Sequence, residues 1–124
     1  MKRVLFAMLV VVSGACGGDD DANPAADCEE RVEITCARLY ECLTEAERDF
    51  LQLPPTEAGC VTDGKQNQGC EEQTLDNVCQ GGEVYDPAAS DDCVEQIAAI
   101  DCGDARDGIQ DDELPACGEY CAVE

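Results

Sequence analysis

The sequence predicts a mainly α-helical protein, a small disulfide-cross-linked helical bundle with irregular loops that follows a cleaved signal peptide. The 124-residue chain contains eleven cysteines, a density typical of disulfide scaffolds in oxidising compartments. Leu, Ile, Val and Phe supply only 17 of the 97 residues from Cys28 onward, fewer than an ordinary core needs. Ten cysteines offset this shortage, because each bridge stabilises a domain by about 2–4 kcal/mol.

The N-terminal segment has the parts of a signal peptide. Met1-Lys2-Arg3 is basic, Val4–Val12 is an apolar run too short to span a bilayer, and Ser13-Gly14-Ala15 supplies small residues before Cys16. These residues resemble the lipobox of bacterial lipoprotein signal peptides. The resemblance implies that Cys16 carries the lipid and becomes the first residue. Members of that family usually have Leu three residues before the cysteine, where this chain has Ser13.

Ordinary signal peptidase also cleaves after a small-x-small pattern, which Ser13-Gly14-Ala15 satisfies, and would release a soluble secreted protein. Two features favour lipidation instead. Acylation of Cys16 leaves ten cysteines, an even number that can all pair. The polar stretch Gly17–Ala26 suits a flexible tether between a membrane and a domain.

We therefore divide the chain into a signal peptide (1–15), a lipidated cysteine with a flexible acidic tether (16–27) and a cysteine-rich helical domain (28–124). Asp directly after the lipidated cysteine favours inner-membrane retention in lipoproteins of this kind, and Gly17 takes that place here. The resemblance thus implies an outer-membrane lipoprotein, at the periplasmic face or the cell surface. A chain that is not lipidated would be secreted.

Start signals predict the first two helices. Asp27 can cap a helix from Cys28 to about Leu43, and Thr44–Glu47 forms a capping box that starts a short helix through Leu53. Pro54-Pro55 ends the second helix.

The remaining elements follow from cysteine spacing, Pro and Gly. Asp86-Pro87 is the clearest helix start, and Cys102-Gly103 ends that helix. In chain order we predict a loop over Gly59–Gly69, a helix over Cys70–Cys79, a helix over Ala88–Ile100, an acidic loop over Asp104–Glu113 and a final helical turn or two over Pro115–Cys121.

The ten cysteines of the domain are the candidate disulfide partners: Cys28, Cys36, Cys42, Cys60, Cys70, Cys79, Cys93, Cys102, Cys117 and Cys121. Three helix-length segments begin and end with cysteine, Cys28–Cys36, Cys70–Cys79 and Cys93–Cys102. A nine-residue helical separation puts two sulfurs on opposite faces about 13.5 Å apart, so the two ends should pair with other neighbours. Cys117 and Cys121 should also reach different partners. The connectivity itself stays open.

The run Tyr85-Asp86-Pro87-Ala88-Ala89 followed by Cys93–Cys102, with its cysteine-rich flanks, resembles small cysteine-rich lipoproteins of myxobacteria-like genomes, a largely uncharacterised group. The resemblance covers most of the domain. It implies an exported, lipid-anchored protein and implies no activity.

Composition excludes several functions. The formal net charge of −22 disfavours nucleic acid as a partner. The chain has no His, and no two cysteines have the Cys-x-x-Cys spacing of zinc, thioredoxin-like or haem sites. We predict no enzyme, no cofactor and no metal.

Calcium is the one metal that the acidic residues suggest. Aligning Gly108 with the turn glycine of an EF-hand puts Gly103 at the first ligand position and Leu114 at the last, so the motif fails. A weak site of another kind remains the alternative to a solvated loop. Its candidate ligands are Asp104, Asp107, Asp111, Asp112 and Glu113.

These observations favour a non-catalytic, lipid-anchored lipoprotein of the cell envelope, which acts as a binding or structural module and contacts the membrane through its lipid and another envelope protein through its surface. The alternative is a secreted, disulfide-rich inhibitor or effector-like ligand. In that case a rigid loop such as Cys60–Cys70 would be presented to an enzyme or receptor.

Overall fold

The computed structural model describes residues 22–108 and 114–122, and these residues form a mainly helical, disulfide-cross-linked fold as predicted. The signal segment and Cys16 lie outside the described residues, as do residues 109–113 of the acidic segment. The helices are α1 (Pro24–Cys42), α2 (Glu45–Phe50), α3 (Glu57–Gln68), α4 (Pro87–Ala98) and α5 (Cys102–Asp107), with 3₁₀ turns at Cys70–Glu72 and Pro115–Gly118.

Helix α1 begins earlier than the sequence suggested. The N-cap is Asn23, whose side chain accepts a hydrogen bond from the Ala26 amide at 3.2 Å, and Pro24 takes the first helical position. Asp27 was predicted as the cap but lies within the first turn. The first turn therefore falls inside the range 16–27 that we predicted as tether.

The capping box at the start of α2 is confirmed. The Thr44 hydroxyl accepts from the Glu47 amide at 3.3 Å, and the Glu47 carboxylate accepts from the Thr44 amide at 2.7 Å. The helix ends at Phe50 rather than Leu53. The Leu53 amide donates to the Arg48 carbonyl at 2.9 Å, five residues back, instead of to the carbonyl four residues back that a continuing α-helix would use.

The prediction of a loop over Gly59–Gly69 is wrong, since this segment belongs to α3. The Thr56 hydroxyl caps the helix by accepting from the Gly59 amide at 3.1 Å. Gly69 ends it with φ of 61°, a left-handed conformation that glycine adopts without steric cost.

The prediction of a helix over Cys70–Cys79 is also wrong. Only Cys70–Glu72 forms a 3₁₀ turn. After it, the Asn77 side chain accepts from the Thr74 amide at 2.8 Å and donates to the Glu72 carbonyl at 2.7 Å. These local bonds between a side chain and the backbone satisfy groups that a helix would otherwise pair.

Helix α4 starts at Pro87 with Asp86 as its cap, as predicted, and ends at Ala98. Cys102-Gly103 does not end a helix but opens α5, whose cap is Asp101. Residues 104–107 of the predicted acidic loop are therefore helical. The last predicted helical turns reduce to the 3₁₀ turn Pro115–Gly118.

Two short strands complete the fold and were not predicted. Strand β1 (Val84–Tyr85) pairs antiparallel with β2 (Cys121–Ala122), with Val84 opposite Ala122 and Tyr85 opposite Cys121. The Asp86 amide extends this pairing by donating to the Tyr120 carbonyl at 2.7 Å. The C-terminal segment is thereby held against the start of α4.

All ten candidate cysteines pair, and the five disulfides are Cys28–Cys70, Cys36–Cys60, Cys42–Cys102, Cys79–Cys121 and Cys93–Cys117. The expectations that neighbouring cysteines reach different partners are met, including that for Cys117 and Cys121. The reason differs at Cys28 and Cys36. These residues are eight positions apart, so they share one face of α1 with Val32 and lie about 12 Å apart along the helix axis.

Helix α1 packs against α3, α4 and α5, and the core divides into two clusters along it. The first consists of Cys28, Val32, Cys36, Cys60 and Cys70. The second consists of Cys93, Ile97, Ile100 and Ala116. Four of the five residues in the first cluster are half-cystines, so sulfur fills space that aliphatic side chains occupy in larger domains.

Candidate functional site

Two features stand out, a largely buried polar cluster and a surface groove, and they lie at opposite ends of α1. A polar cluster surrounds Asp27 and Arg31 near the start of the helix, and an apolar groove surrounds Leu43 just beyond its end. The helix has 19 residues and is therefore about 28 Å long.

Arg31 is the centre of the polar cluster. It is 8% exposed, and its Nη1 donates to the Ser90 hydroxyl oxygen at 2.5 Å. Its guanidinium carbon lies 4.5 Å from the centre of the Tyr120 ring, a cation–π arrangement. Arg31 thus joins α1 to α4 and to the C-terminal segment.

Tyr85 closes the other side of the cluster. Its hydroxyl donates to the Asp27 carboxylate, and its ring lies edge-on to that of Tyr120 with centroids 6.1 Å apart. Burial raises the pKa of Tyr85 to about 12, and the hydrogen bond to Asp27 adds to the rise. The hydroxyl therefore stays protonated and serves as a fixed donor.

Three carboxylates meet beside this cluster. Oxygen atoms of Asp27, Glu30 and Asp91 lie within 4.8 Å of one another, with Asp27 half-buried and the other two exposed. Calcium takes six to eight oxygen ligands, so these three side chains supply less than half of a coordination sphere. The spacing of Asp27 and Glu30, three apart on α1, is the sequence signal that could have placed two of them on one face.

Only two of the five calcium candidates of the sequence lie in the described residues, so that prediction stays open. Asp104 and Asp107 lie on α5, whereas Asp111, Asp112 and Glu113 lie outside the part of the chain that is described. The carboxylate triplet therefore involves a different part of the chain from the segment that the sequence singled out.

Ser90 is the only serine after the signal segment. It is 1% exposed, and its hydroxyl oxygen faces a cation, not a general base. Its role in the fold is to accept the hydrogen bond of Arg31.

The apolar groove has a volume of about 320 Å³ and was not predicted. It is lined by Leu43, Ala46, Glu47, Phe50, Leu51 and Arg106. The hydrogen bond from the Thr44 amide lowers the pKa of Glu47. Arg106 Nε lies 3.5 Å from the Glu47 carboxylate, and this ion pair borders the apolar floor.

Three arginines donate hydrogen bonds to backbone carbonyls at or just after the ends of α1 and α4. Arg48 donates to the Leu43 carbonyl at 2.7 Å, Arg106 donates to the Cys42 carbonyl at 2.9 Å, and Arg38 donates to the Ile100 carbonyl. The last carbonyls of a helix have no intrahelical donor, and cations stabilise them.

The two remaining cations also have partners. Lys65 forms ion pairs with Glu29 and Glu33, and Arg31 contacts Ser90 and Tyr120 as described above. All five cations of residues 22–108 and 114–122 therefore have an acceptor or ring partner within the fold, and the exposed charge of this part of the chain is predominantly negative.

A comparison of the chain with protein-family models, with curated proteins and with solved structures finds no match. The fold itself defines the class: a small, cysteine-rich helical protein with five disulfides, which belongs in an oxidising, exported environment. None of the helices in residues 22–108 and 114–122 is long and apolar enough to cross a membrane.

Proposed function

We propose that this protein is a non-catalytic lipoprotein of the bacterial cell envelope, anchored through a lipid on Cys16 and acting as a binding or structural module. The observation that carries the proposal is cysteine pairing. The five disulfides use all ten cysteines after Cys16, which leaves Cys16 without a partner among them. In an exported chain, an eleventh cysteine that directly follows a signal segment and takes no part in these five disulfides fits lipid attachment at that residue.

The position of Cys16 relative to the fold supports anchoring. Seven residues separate it from Pro24, where α1 begins. Such a connection spans at most about 28 Å, so a lipid on Cys16 would hold the domain close to the bilayer. After cleavage the chain has 29 acidic residues against five basic ones, and this excess would repel it from anionic headgroups. The lipid would therefore be its main attachment.

Two features support a non-catalytic role. The chain has no His, and its one mature serine is buried against Arg31. A serine hydroxyl needs a neighbouring base to act as a nucleophile, and Ser90 has none in the described contacts. A binding or structural role requires only the rigid, charged surface that the disulfides hold in place.

The proposal is tested by expressing the full chain in a bacterium with labelled palmitate and measuring the intact mass of the mature protein. We expect label and a mass that begins at acylated Cys16, with no label in Cys16→Ser. Ser13→Leu is the matched control, because it supplies the Leu of the lipobox and should keep the label. Recovery of unlabelled wild-type protein from the medium would overturn the proposal.

Membrane fractionation of the same cells tests the outer-membrane location that Gly17 indicates. We expect the wild-type protein in the outer-membrane fraction, and Gly17→Asp in the inner-membrane fraction. Wild-type protein in the inner membrane would contradict this part of the proposal.

The alternative of a secreted ligand named Cys60–Cys70 as an example of a rigid binding loop, and this segment is not a loop. Residues between Cys60 and Cys70 form most of α3, which packs against α1 with Lys65 bound to Glu29 and Glu33. A helix fixed on the domain in this way does not form a projecting inhibitory loop.

A further inference from the structure

Phe50 is the most conspicuous side chain on the surface. It is the only phenylalanine after the signal segment, in a domain that is poor in large apolar residues. Even so, it is 85% exposed, and the neighbouring Leu51 is 54% exposed. Burying such a side chain is among the largest stabilising contributions that one residue can make. The fold leaves this contribution unused within the described residues.

The exposed pair continues an apolar face. Ala46 and Phe50 lie four residues apart on α2, with Leu51 just after the helix and Leu43 just before its cap, and all four residues line the groove. Leu43 forms the buried floor and is 5% exposed. The capping box of α2 and the hydrogen bonds of Arg48 and Arg106 to the end of α1 hold this face in position. The groove is therefore preformed.

The two helices beside the groove are predominantly acidic. Helix α2 carries Glu45, Glu47 and Asp49, and α5 carries Asp104 and Asp107. Of these acids, Glu47 lines the groove, where it pairs with Arg106. The two cations on these helices, Arg48 and Arg106, already donate to carbonyls at the end of α1. A ligand that enters the groove thus meets an apolar floor between two helices that carry an excess of negative charge.

We propose that this groove docks a basic amphipathic segment of a partner protein, with an apolar side chain placed between Phe50 and Leu43 and Lys or Arg residues toward the acidic helices α2 and α5. This inference rests on the proposed binding function, and it specifies that the bound segment of the partner is basic and amphipathic. Helix-in-groove recognition of this kind uses one apolar face for affinity and charge complementarity for orientation.

The charge argues against the two other occupants. A second copy would bring an equally acidic surface to the same face, since each mature chain carries 29 acidic and five basic residues. A bilayer with anionic headgroups would meet the same repulsion. The groove also lies at the end of α1 that is opposite to the start of the helix, where the chain from Cys16 arrives.

The test is a titration of the oxidised chain from Gly17 to Glu124, which retains all five disulfides and both core clusters. The probe is an amphipathic helical peptide of Leu and Lys, about 18 residues or five turns long, with one Trp. The protein has no Trp, so fluorescence anisotropy reports the peptide alone. We expect saturable binding that a scrambled peptide of the same composition does not show.

Phe50→Ala should weaken binding by at least about tenfold, as expected for an aromatic side chain at the centre of an interface. Leu75→Ala is the matched control, because Leu75 is 50% exposed and does not line the groove. It should change the affinity by less than about twofold. Both substitutions are at exposed positions, and far-UV circular dichroism confirms that the variants are folded.

Three results would overturn the groove proposal. The first is equal affinity of wild type and Phe50→Ala, or equal binding of the scrambled peptide. The second is self-association of the protein that Phe50→Ala abolishes, and the third is vesicle binding that depends on Phe50. Since the titrated chain lacks Cys16, its result is independent of lipidation. If the full chain is lipidated but the protein does not bind the peptide, only the groove proposal is contradicted. If the full chain is not lipidated but the protein binds the peptide, only lipid attachment at Cys16 is contradicted.

Discussion

At the scale of single residues, the few cations have structural roles. Three arginines bind helix C-termini, Lys65 bridges α1 and α3, and Arg31 lies buried between Ser90 and Tyr120. Exposed ion pairs contribute little, whereas a buried and hydrogen-bonded cation is costly to remove. Stability should therefore respond very differently to substitution at different cations.

Replacing Arg31 with Met should lower the free energy of unfolding by about 1–3 kcal/mol, because Ser90 loses its donor and Tyr120 its cation. Urea unfolding followed by circular dichroism measures this change. Lys65→Met is the control, and its exposed ion pairs predict a loss of at most about 1 kcal/mol. Equal losses in the two variants would show that burial of Arg31 is not what matters.

Tyr85 should titrate later than an ordinary tyrosine, whose pKa is 10.0, because its pKa is raised to about 12. The raised pKa means that the folded state holds the proton more tightly than the unfolded state. The stability linked to Tyr85 is therefore complete below pH 10 and is lost as the pH rises to about 12. Phenolate absorbance at high pH measures the titration, and Tyr85→Phe should remove the latest phase. A wild-type titration with a single midpoint near pH 10 would contradict the assignment.

At the scale of elements, cap residues predicted the starts of two helices correctly and missed the starts of the other three. Thr44, Glu47, Asp86 and Pro87 marked the starts of α2 and α4 correctly. Helix α3 was missed because its segment GCVTDGKQNQG has no apolar period. The Cys36–Cys60 disulfide, the Cys28–Cys70 disulfide just after the helix and the close approach of Gly64 to α1 help to hold it in place. These are tertiary effects that local patterns do not contain.

The close contact between α3 and α1 is at Gly64. A Cβ atom built on Gly64 would lie 2.6 Å from Val32 Cγ1, and the branched Val32 has one strongly preferred rotamer in a helix. Gly64→Ala should therefore lower stability by about 1–3 kcal/mol through overpacking, although Ala favours helix formation.

Thermal or urea unfolding of Gly64→Ala checks this expectation, with Gly118→Ala as the control, because no atom lies within 4 Å of a Cβ there. The double variant Gly64→Ala/Val32→Ala should lose less stability than the sum of the losses of the two single variants, since Val32→Ala removes the clashing methyl group. A Gly64→Ala protein that is more stable than wild type would exclude the clash.

The disulfides should differ in importance according to the loops they close. Cys42–Cys102 closes 60 residues and Cys93–Cys117 closes 24. Replacing both cysteines of a pair with Ala should lower stability by about 4 kcal/mol for the first pair and about 3.5 kcal/mol for the second, from loop entropy. The pairs are matched, because each has one buried and one half-buried cysteine. A larger loss for Cys93–Cys117 in denaturant unfolding would contradict the ranking.

At the scale of the whole molecule, cystine replaces much of the aliphatic core. Six of the thirteen buried apolar residues are cysteines, and the surface around them is strongly acidic. Composition predicted this division between sulfur inside and carboxylates outside, because the chain combines few aliphatic residues and many acids with ten cysteines after Cys16.

The candidate sites were predictable only in part. The ten paired cysteines and the acidic surface followed from composition. The pairing, the Arg31 cluster and the groove did not follow, because each depends on residues brought together by tertiary packing. Phe50 illustrates the limit, since its spacing to Leu43 and Ala46 predicts an apolar face but does not reveal that nothing in residues 22–108 and 114–122 covers Phe50 itself.

The central claim is that covalent sulfur bonds hold this fold together, and the most direct measurement is the proton–nitrogen NMR spectrum of the oxidised chain before and after complete reduction. We predict a dispersed spectrum before reduction and a collapsed one afterwards, because the remaining apolar contacts do not offset the entropy of the chain. A reduced protein with ten free thiols that keeps its dispersed spectrum would contradict the account.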